Sequence, residues 1–207
     1  MAKPLVGILM GSDSDLSIMQ EAGAMLREFG IEYEMTIASA HRTPKKVQEY
    51  SQSAERRGLK VIIAGAGWAA HLAGVIASQT TLPVIGVPID SSALKGMDAL
   101  LSTVQMPGGV PVATMSLGKA GAKNAGIFAA QIIATADVKV ANRLKVFKVE
   151  MERDIEEKAK KLTAVVCAEP AAAEIEPAEG VAVKKKKPRR RRWKKKVGAA
   201  PSQGSAS

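Results

Sequence analysis

Residues 5–10 read Leu-Val-Gly-Ile-Leu-Met, a run with no polar face to offer water. Five of the six carry apolar side chains. A strand of that kind must be buried on both sides, a condition met in a parallel sheet covered by helices. Directly behind it stand Gly11, Ser12, Asp13, Ser14 and Asp15, which turn the chain and cap a helix at the carboxyl end of the strand. Open α/β sheets bind their ligands at that end. The same succession recurs along the chain. Further extended segments are predicted at residues 32–38, 61–65, 84–88 and 110–115, the short β-branched ones ended by Gly or Pro. Between them lie helical periods. Asp15 is expected to cap a helix whose apolar face includes Ile18, Met19, Ala22, Met25, Leu26 and Phe29, with Gly30 ending it. Thr43 and Pro44 form an N-cap and first-turn pair for a helix through Val47, Tyr50 and Ala54, stopped at Gly58. Residues 69–78, 92–104 and 121–135 keep the rhythm. Strand–helix alternation with short connections predicts a three-layer αβα sandwich around a parallel sheet. Periodicity does not fix the order of the strands.

After the last strand, Asn124, Ala125, Gly126, Ala129, Ala130, Ala134 and Ala136 make a helix surface that another helix can approach closely. Residues 138–162 then form a more charged helix with the stripe Val140, Leu144, Phe147, Met151, Ile155 and Leu162. That stripe is expected to meet another subunit, because the preceding units already complete the sandwich. The folded domain is therefore placed at residues 1–162, and residues 163–207 are read as a disordered Ala/Pro-rich linker with a basic tail. Residues 163–207 hold eleven basic against four acidic side chains, a net of +7, which leaves only +3 for the domain. Such a tail implies a weak grip on nucleic acid or anionic membrane, aided by Trp193. It says little about what the domain binds. Cys167 is the single cysteine, so an internal disulfide is ruled out and zinc spacing is missing. The first apolar run is too short for a signal peptide, Asp13 and Asp15 interrupt it, and no stretch reaches membrane-span length. A cytoplasmic compartment is the expectation.

Three loops carry groups suited to chemistry. Ser12 and Ser14 offer hydroxyl donors, and the N–H groups opening the next helix add partial positive charge, which together suit a phosphate. Asp13 and Asp15 would repel phosphate, so one is assigned to the helix cap and the other to sugar hydroxyls. The loop is neither Gly-x-Gly-x-x-Gly nor a lysine-bearing phosphate loop, which weighs against dinucleotides and nucleoside triphosphates. Ser39, Ala40, His41, Arg42, Thr43 and Pro44 follow the second strand. His41 stands at the mouth of that connection, and an imidazole both donates and accepts a proton near neutrality. Arg42 supplies a planar cation for phosphate or carboxylate. In the third loop, Gly65, Ala66, Gly67, Ala69 and Ala70 let backbone approach a planar or anionic ligand. His71 lies inside the following helix and faces either the ligand or the helix stack. Residues 88–92 add polar donors, and the Gly pair in residues 105–111 could close over a substrate or line an interface. Neither histidine has a Cys, Asp or Glu at ligand spacing, so no metal is expected. A nucleophile elbow is missing, and Cys167 falls in the linker. Each cluster has a plainer reading as a capped turn or a surface histidine. Together they support proton transfer on a phosphorylated small molecule.

The segments 11–15, 39–44, 65–72 and 105–114 resemble, in unbroken order over residues 4–160, the catalytic subunit of phosphoribosylaminoimidazole carboxylase. More narrowly they resemble its bacterial form, the N5-carboxyaminoimidazole ribonucleotide mutases of purine biosynthesis. The resemblance implies a flavodoxin-like domain assembled as a homo-octamer, working without cofactor or metal. It implies an ATP-dependent synthetase as a pathway partner. Ser12 and Arg42 would hold the 5′-phosphate and Asp15 the ribose hydroxyls, with Asp13, Ser14 and Ser39 helping to position the ribonucleotide. Gly65, Gly67, Ala70, His71 and Leu72 would border the imidazole and carboxylate. His41 would be the acid and base of a carboxylate shift through trapped CO2. The chain departs from the family at Trp68, where glycine is usual, and at Ala73, where proline is usual.

The family also contains a branch that carboxylates aminoimidazole ribonucleotide directly with CO2. That branch usually has lysine after the histidine, so Arg42 favours the mutase. A phosphosugar- or nucleotide-sensing domain with a nucleic-acid-binding tail is the non-enzyme alternative. An NAD-type oxidoreductase fails on the glycine spacing of the first loop.

Overall fold

The computed structural model describes residues 3–168. Its strands are β1 (Val6–Met10), β2 (Tyr33–Ile37), β3 (Val61–Gly67), β4 (Val84–Ile89) and β5 (Ala113–Thr114). Its helices are α1 (Leu16–Glu28), α2 (Pro44–Arg57), α3 (Leu72–Ala77), α4 (Met97–Val104), α5 (Gly118–Ala134) and α6 (Val138–Ala168), with a 3-10 turn at Asp13–Asp15 before α1. All strand pairs are parallel, in the order β2-β1-β3-β4-β5. This is the flavodoxin-like order, and the expected three-layer sandwich is borne out. The central β1 pairs Val6 with Tyr33 of β2 on one side and with Val61 of β3 on the other.

Val6–Met10 of that run are buried throughout, and their alternation divides two cores. Val6, Ile8 and Met10 join Met19 and Leu26 of α1 and Ala122 and Ala129 of α5. Leu9 joins Ile62 of β3, Val47 and Ala54 of α2, and Leu72 and Ile76 of α3 on the opposite face. Gly7 interrupts the run because a side chain there would strike the Tyr50 hydroxyl. The small residues of α5 serve α1: a Cβ on Gly126 would come within 2.7 Å of the Ala22 carbonyl. Gly58 ends α2 at φ 99°, and Gly30 follows α1 at φ 65°, both as expected from their need for left-handed backbone.

Three elements differ most from the sequence reading. β5 shrinks to Ala113–Thr114, since Pro111 has no N–H to give a ladder. α4 begins at Met97 instead of Ser92. Lys95 and Gly96 take φ 51° and 82°, and Ser92 donates to Asp98 while accepting from the Leu94 N–H, so residues 92–96 are spent on turns. α6 runs to Ala168 and takes Cys167 out of the linker and into its last turn; no Gly or Pro interrupts the chain between Leu162 and Pro170. The first part of the α6 stripe packs within the domain. Val140 is buried, Leu144 and Phe147 pack on the core, Phe147 meets Phe29 edge-on at 5.4 Å, and Arg143 donates to the Phe29 carbonyl at 2.6 Å. Further along the stripe, Met151 and Ile155 are 45% and 64% exposed. Met1–Lys161 form one compact unit. The basic tail and its linker beyond Ala168 lie outside the described residues.

Candidate active site

The first loop is organised by its own side chains. Ser12 has extended backbone and caps the 3-10 turn, its hydroxyl accepting from the Ser14 N–H while the Asp15 carboxylate accepts from the Ser12 N–H at 3.2 Å. This reciprocal box satisfies two N–H groups at once. Asp15 therefore does not cap α1 through its side chain, as the sequence suggested. The inserted 3-10 turn moves the cap back to Ser12 and folds Asp15 inward. Burial pushes the Asp15 carboxyl above the usual carboxylate range, against the opposing bonds from Ser12 and Ser14. Asp13 is exposed, and the Ser12 hydroxyl, which donates to it at 2.9 Å, holds its carboxyl below that range, helped by backbone N–H groups.

The second loop is stapled by Thr43. Its hydroxyl accepts from the Ser39 N–H at 2.9 Å and donates to the Ser39 carbonyl at 3.1 Å, which leaves it unable to cap α2. The Ser39 hydroxyl accepts from the Arg42 N–H at 3.2 Å. Arg42 reaches back across the sheet end, and its Nη2 donates to the Gly11 carbonyl at 2.7 Å. The guanidinium thus ties the second loop to the first and keeps its other N–H groups for an anion.

The third loop completes the arrangement. Nε2 of His41 lies 2.9 Å from Nδ1 of His71, with the rings 5.0 Å apart and nearly perpendicular. In a neutral pair one nitrogen donates and the other accepts. His71 is not inside α3 but is its N-cap residue, which frees its ring from the helix stack and brings it to His41. Trp68 adopts φ 55°, a left-handed conformation that costs a side-chain-bearing residue about 1–2 kcal/mol. Ser91, at the end of β4, packs where a Gly67 side chain would stand.

The carboxyl ends of β1 and β3, where the chain crosses the sheet in opposite directions, frame a cavity of about 460 Å³. That is the place and the size expected of a small-molecule site in such a sheet. Ser12, Ser14, Asp15, Ser39, His41, Arg42, Gly67, His71 and Leu72 all line it. Asp13, Gly65 and Ala70 do not line it. Gly65 faces Met19 inside the core, and the Ala70 N–H donates to Ser102 at 2.9 Å. Trp68 and Ser91 line the cavity as well; the sequence places Ser91 among the polar donors of residues 88–92 but assigns neither residue to the substrate. The signal for Ser91 was its place at the end of the strand next to β3. The Gly pair at residues 108 and 109 is exposed and takes no part in this cavity. Among the described residues no three His, Cys, Asp or Glu side chains gather as a metal-ligand group, and no helix is long and apolar enough to cross a membrane.

The span that builds this cavity also matches known proteins. A family model described as AIR carboxylase covers residues 5–154. The chain is 58% identical over 160 residues to the N5-carboxyaminoimidazole ribonucleotide mutase of Pyrococcus horikoshii, across 77% of this chain and 89% of that protein. It is 57% identical over 159 residues to the Thermotoga maritima protein of the same name, across 77% of this chain and 92% of that protein. The crystal structure of Treponema denticola PurE superposes with a TM-score of 0.69 at 32% identity, covering 77% of this chain and 98% of that one. With the matched residues carrying all three loops, the chain belongs to the AIR carboxylase family.

Proposed function

We propose that this chain is an N5-carboxyaminoimidazole ribonucleotide mutase, moving a carboxylate from the exocyclic nitrogen of the ribonucleotide to C4 of its ring in purine biosynthesis. The observation that carries the reading is the His41–His71 imidazole pair lining one cavity together with a hydroxyl-rich first loop to which Arg42 is tied. Arg42 and Ser12 hold the 5′-phosphate, and Asp15 accepts from the ribose hydroxyls. Ser14 and Ser39 position the sugar, while Gly67, His71 and Leu72 border the ring and carboxylate. Gly65 and Ala70 shape the wall from behind, and Asp13 orders the first loop.

His41 gives a proton to the exocyclic nitrogen as its bond to the carboxylate breaks, releasing CO2 and the neutral amine. C4 attacks that CO2, and His41 takes the C4 proton, which restores aromaticity and returns the imidazole to its first state. The proton count closes without a covalent enzyme intermediate. The histidine partner matters because Nε2 of His41 is held 2.9 Å from Nδ1 of His71, which fixes the orientation of the His41 ring. The same reading carries a homo-octamer, a cytoplasmic setting and an ATP-dependent synthetase that supplies the labile substrate.

The test is to supply synthetic N5-carboxylated ribonucleotide without ATP or bicarbonate and follow the C4-carboxylated isomer. Turnover is expected in the unaltered protein. His41→Asn is expected to lose about 10²–10⁴-fold in kcat, the usual weight of general acid–base catalysis, while still binding the ribonucleotide. Product formed only from aminoimidazole ribonucleotide and CO2 would replace the mutase with direct carboxylation. Ligand binding without turnover would favour the sensing domain.

A further inference from the structure

Trp68 is the one cavity-lining residue that combines a large apolar surface with wide exposure: it is 64% accessible, whereas Leu72, the other sizeable apolar side chain on that wall, is 2% accessible. Its neighbours Ala66, Gly67 and Ala69 have no side chain able to cover a ring. Its backbone is held at φ 55°, a region that L side chains rarely adopt, so the fold sets aside a conformation suited to glycine and fills it with an indole. Nothing in the domain core repays that choice, because the ring is not buried there. A flat aromatic at the rim of a cavity that holds a planar heterocycle has one efficient use, which is to lie against the face of that heterocycle.

We propose that Trp68 is a substrate-contacting residue whose indole covers the imidazole of the bound ribonucleotide at the cavity mouth. This rests on the mutase reading for the identity of the ring. The indole supplies the apolar wall that the backbone-rich third loop lacks, and it shields the ring face from water on the side away from the phosphate. Its neighbours fix where it stands: Ser91 packs against Gly67 just before it, and the Ala70 N–H is pinned to Ser102 just after.

Trp193 is the only other tryptophan, so a full-length Trp193→Phe protein makes Trp68 the sole indole reporter. Titration with the C4-carboxylated ribonucleotide is expected to change its emission, and ribose 5-phosphate, which lacks the ring, is expected to change it far less. Trp68→Gly and Trp68→Ala should raise KM about tenfold or more, with a smaller effect on kcat, and Trp68→Phe should restore most of the affinity. Trp68→Gly should melt no lower than the unaltered protein, since the left-handed backbone is then relieved, and this separates lost contact from lost fold. An unchanged KM in Trp68→Gly with no emission change on titration would overturn the proposal. A change in particle mass with KM unaltered would also overturn it, by assigning the indole to a subunit contact. Absence of turnover in the unaltered protein, with the emission response intact, would count against the mutase reading and leave the ring contact standing.

Discussion

Asp15 pays for its place in the site, as a carboxylate folded into a capping box and buried beneath the first loop. Burial raises its pKa above the ordinary value of 3.8, so the native state binds the proton more tightly than the unfolded chain does. The sign follows directly. Stability from this group is fully present below about 3.8, is lost as pH rises through the raised native value, and stays reduced at neutral pH. Asp15→Asn keeps an acceptor for the Ser12 N–H and removes the titration. The variant should melt at or above the unaltered protein at pH 7, and its advantage should vanish in acid, as thermal scans across pH would reveal. Its kcat/KM should fall about 10–100-fold, the worth of a charged hydrogen bond to ribose. His71 acts through another residue. His71→Ala should lower kcat about tenfold or more with KM nearly unchanged, and His71→Asn, whose amide reaches the Nδ1 position, should recover much of it. Residue chemistry at the first two loops was legible because Ser, Asp, His and Arg in sequence beside a strand end have few other uses there. The His41–His71 contact was not, since 30 residues separate them and only the pairing of β1 with both β2 and β3 brings their loops together.

At the level of elements, local patterns identified every strand and helix but misjudged where several stop. β5 and α4 were drawn too long because Val110–Val112 and Ser92–Gly96 satisfy hydrophobic or helical periods while their backbone is committed elsewhere, to a proline and to positive φ. α6 was drawn too short because a change of composition was taken as a change of structure, although nothing in residues 163–168 breaks a helix. The α5 surface was read for what it is, a close approach, and the partner turned out to be α1. That contact makes a sharp prediction. A side chain on Gly126 meets the Ala22 backbone, which cannot swing aside as a flexible side chain would. Gly126→Val should destabilise the domain by about 1–3 kcal/mol. Gly108→Ala, with open space around it and no positive φ, should be neutral, and urea titration of the two variants checks both.

At the scale of the whole molecule, charge and apolar surface are distributed unevenly. Residues 163–207 carry eleven basic side chains against four acidic ones, while the catalytic span is close to balance. α6 anchors its first turns on the core through Val140, Leu144 and Phe147, then presents Met151 and Ile155 on the same face, both exposed. Exposed apolar side chains that continue a core-packed stripe form a surface that proteins commonly cover. The proposed octamer would have a second copy cover it, and the basic tail begins beyond the end of this helix, apart from the cavity-forming loops in sequence. The two features should therefore separate cleanly by mutation. A chain ended after Ala168 should keep its turnover and its number of subunits by light scattering while losing retention on a polyanion column. Met151→Glu with Ile155→Glu should do the reverse, lowering the assembled mass while leaving that retention in place. Loss of turnover in the truncated chain would mean that the tail takes part in assembly or catalysis, and an unchanged mass in the double variant would place the subunit contact on another face.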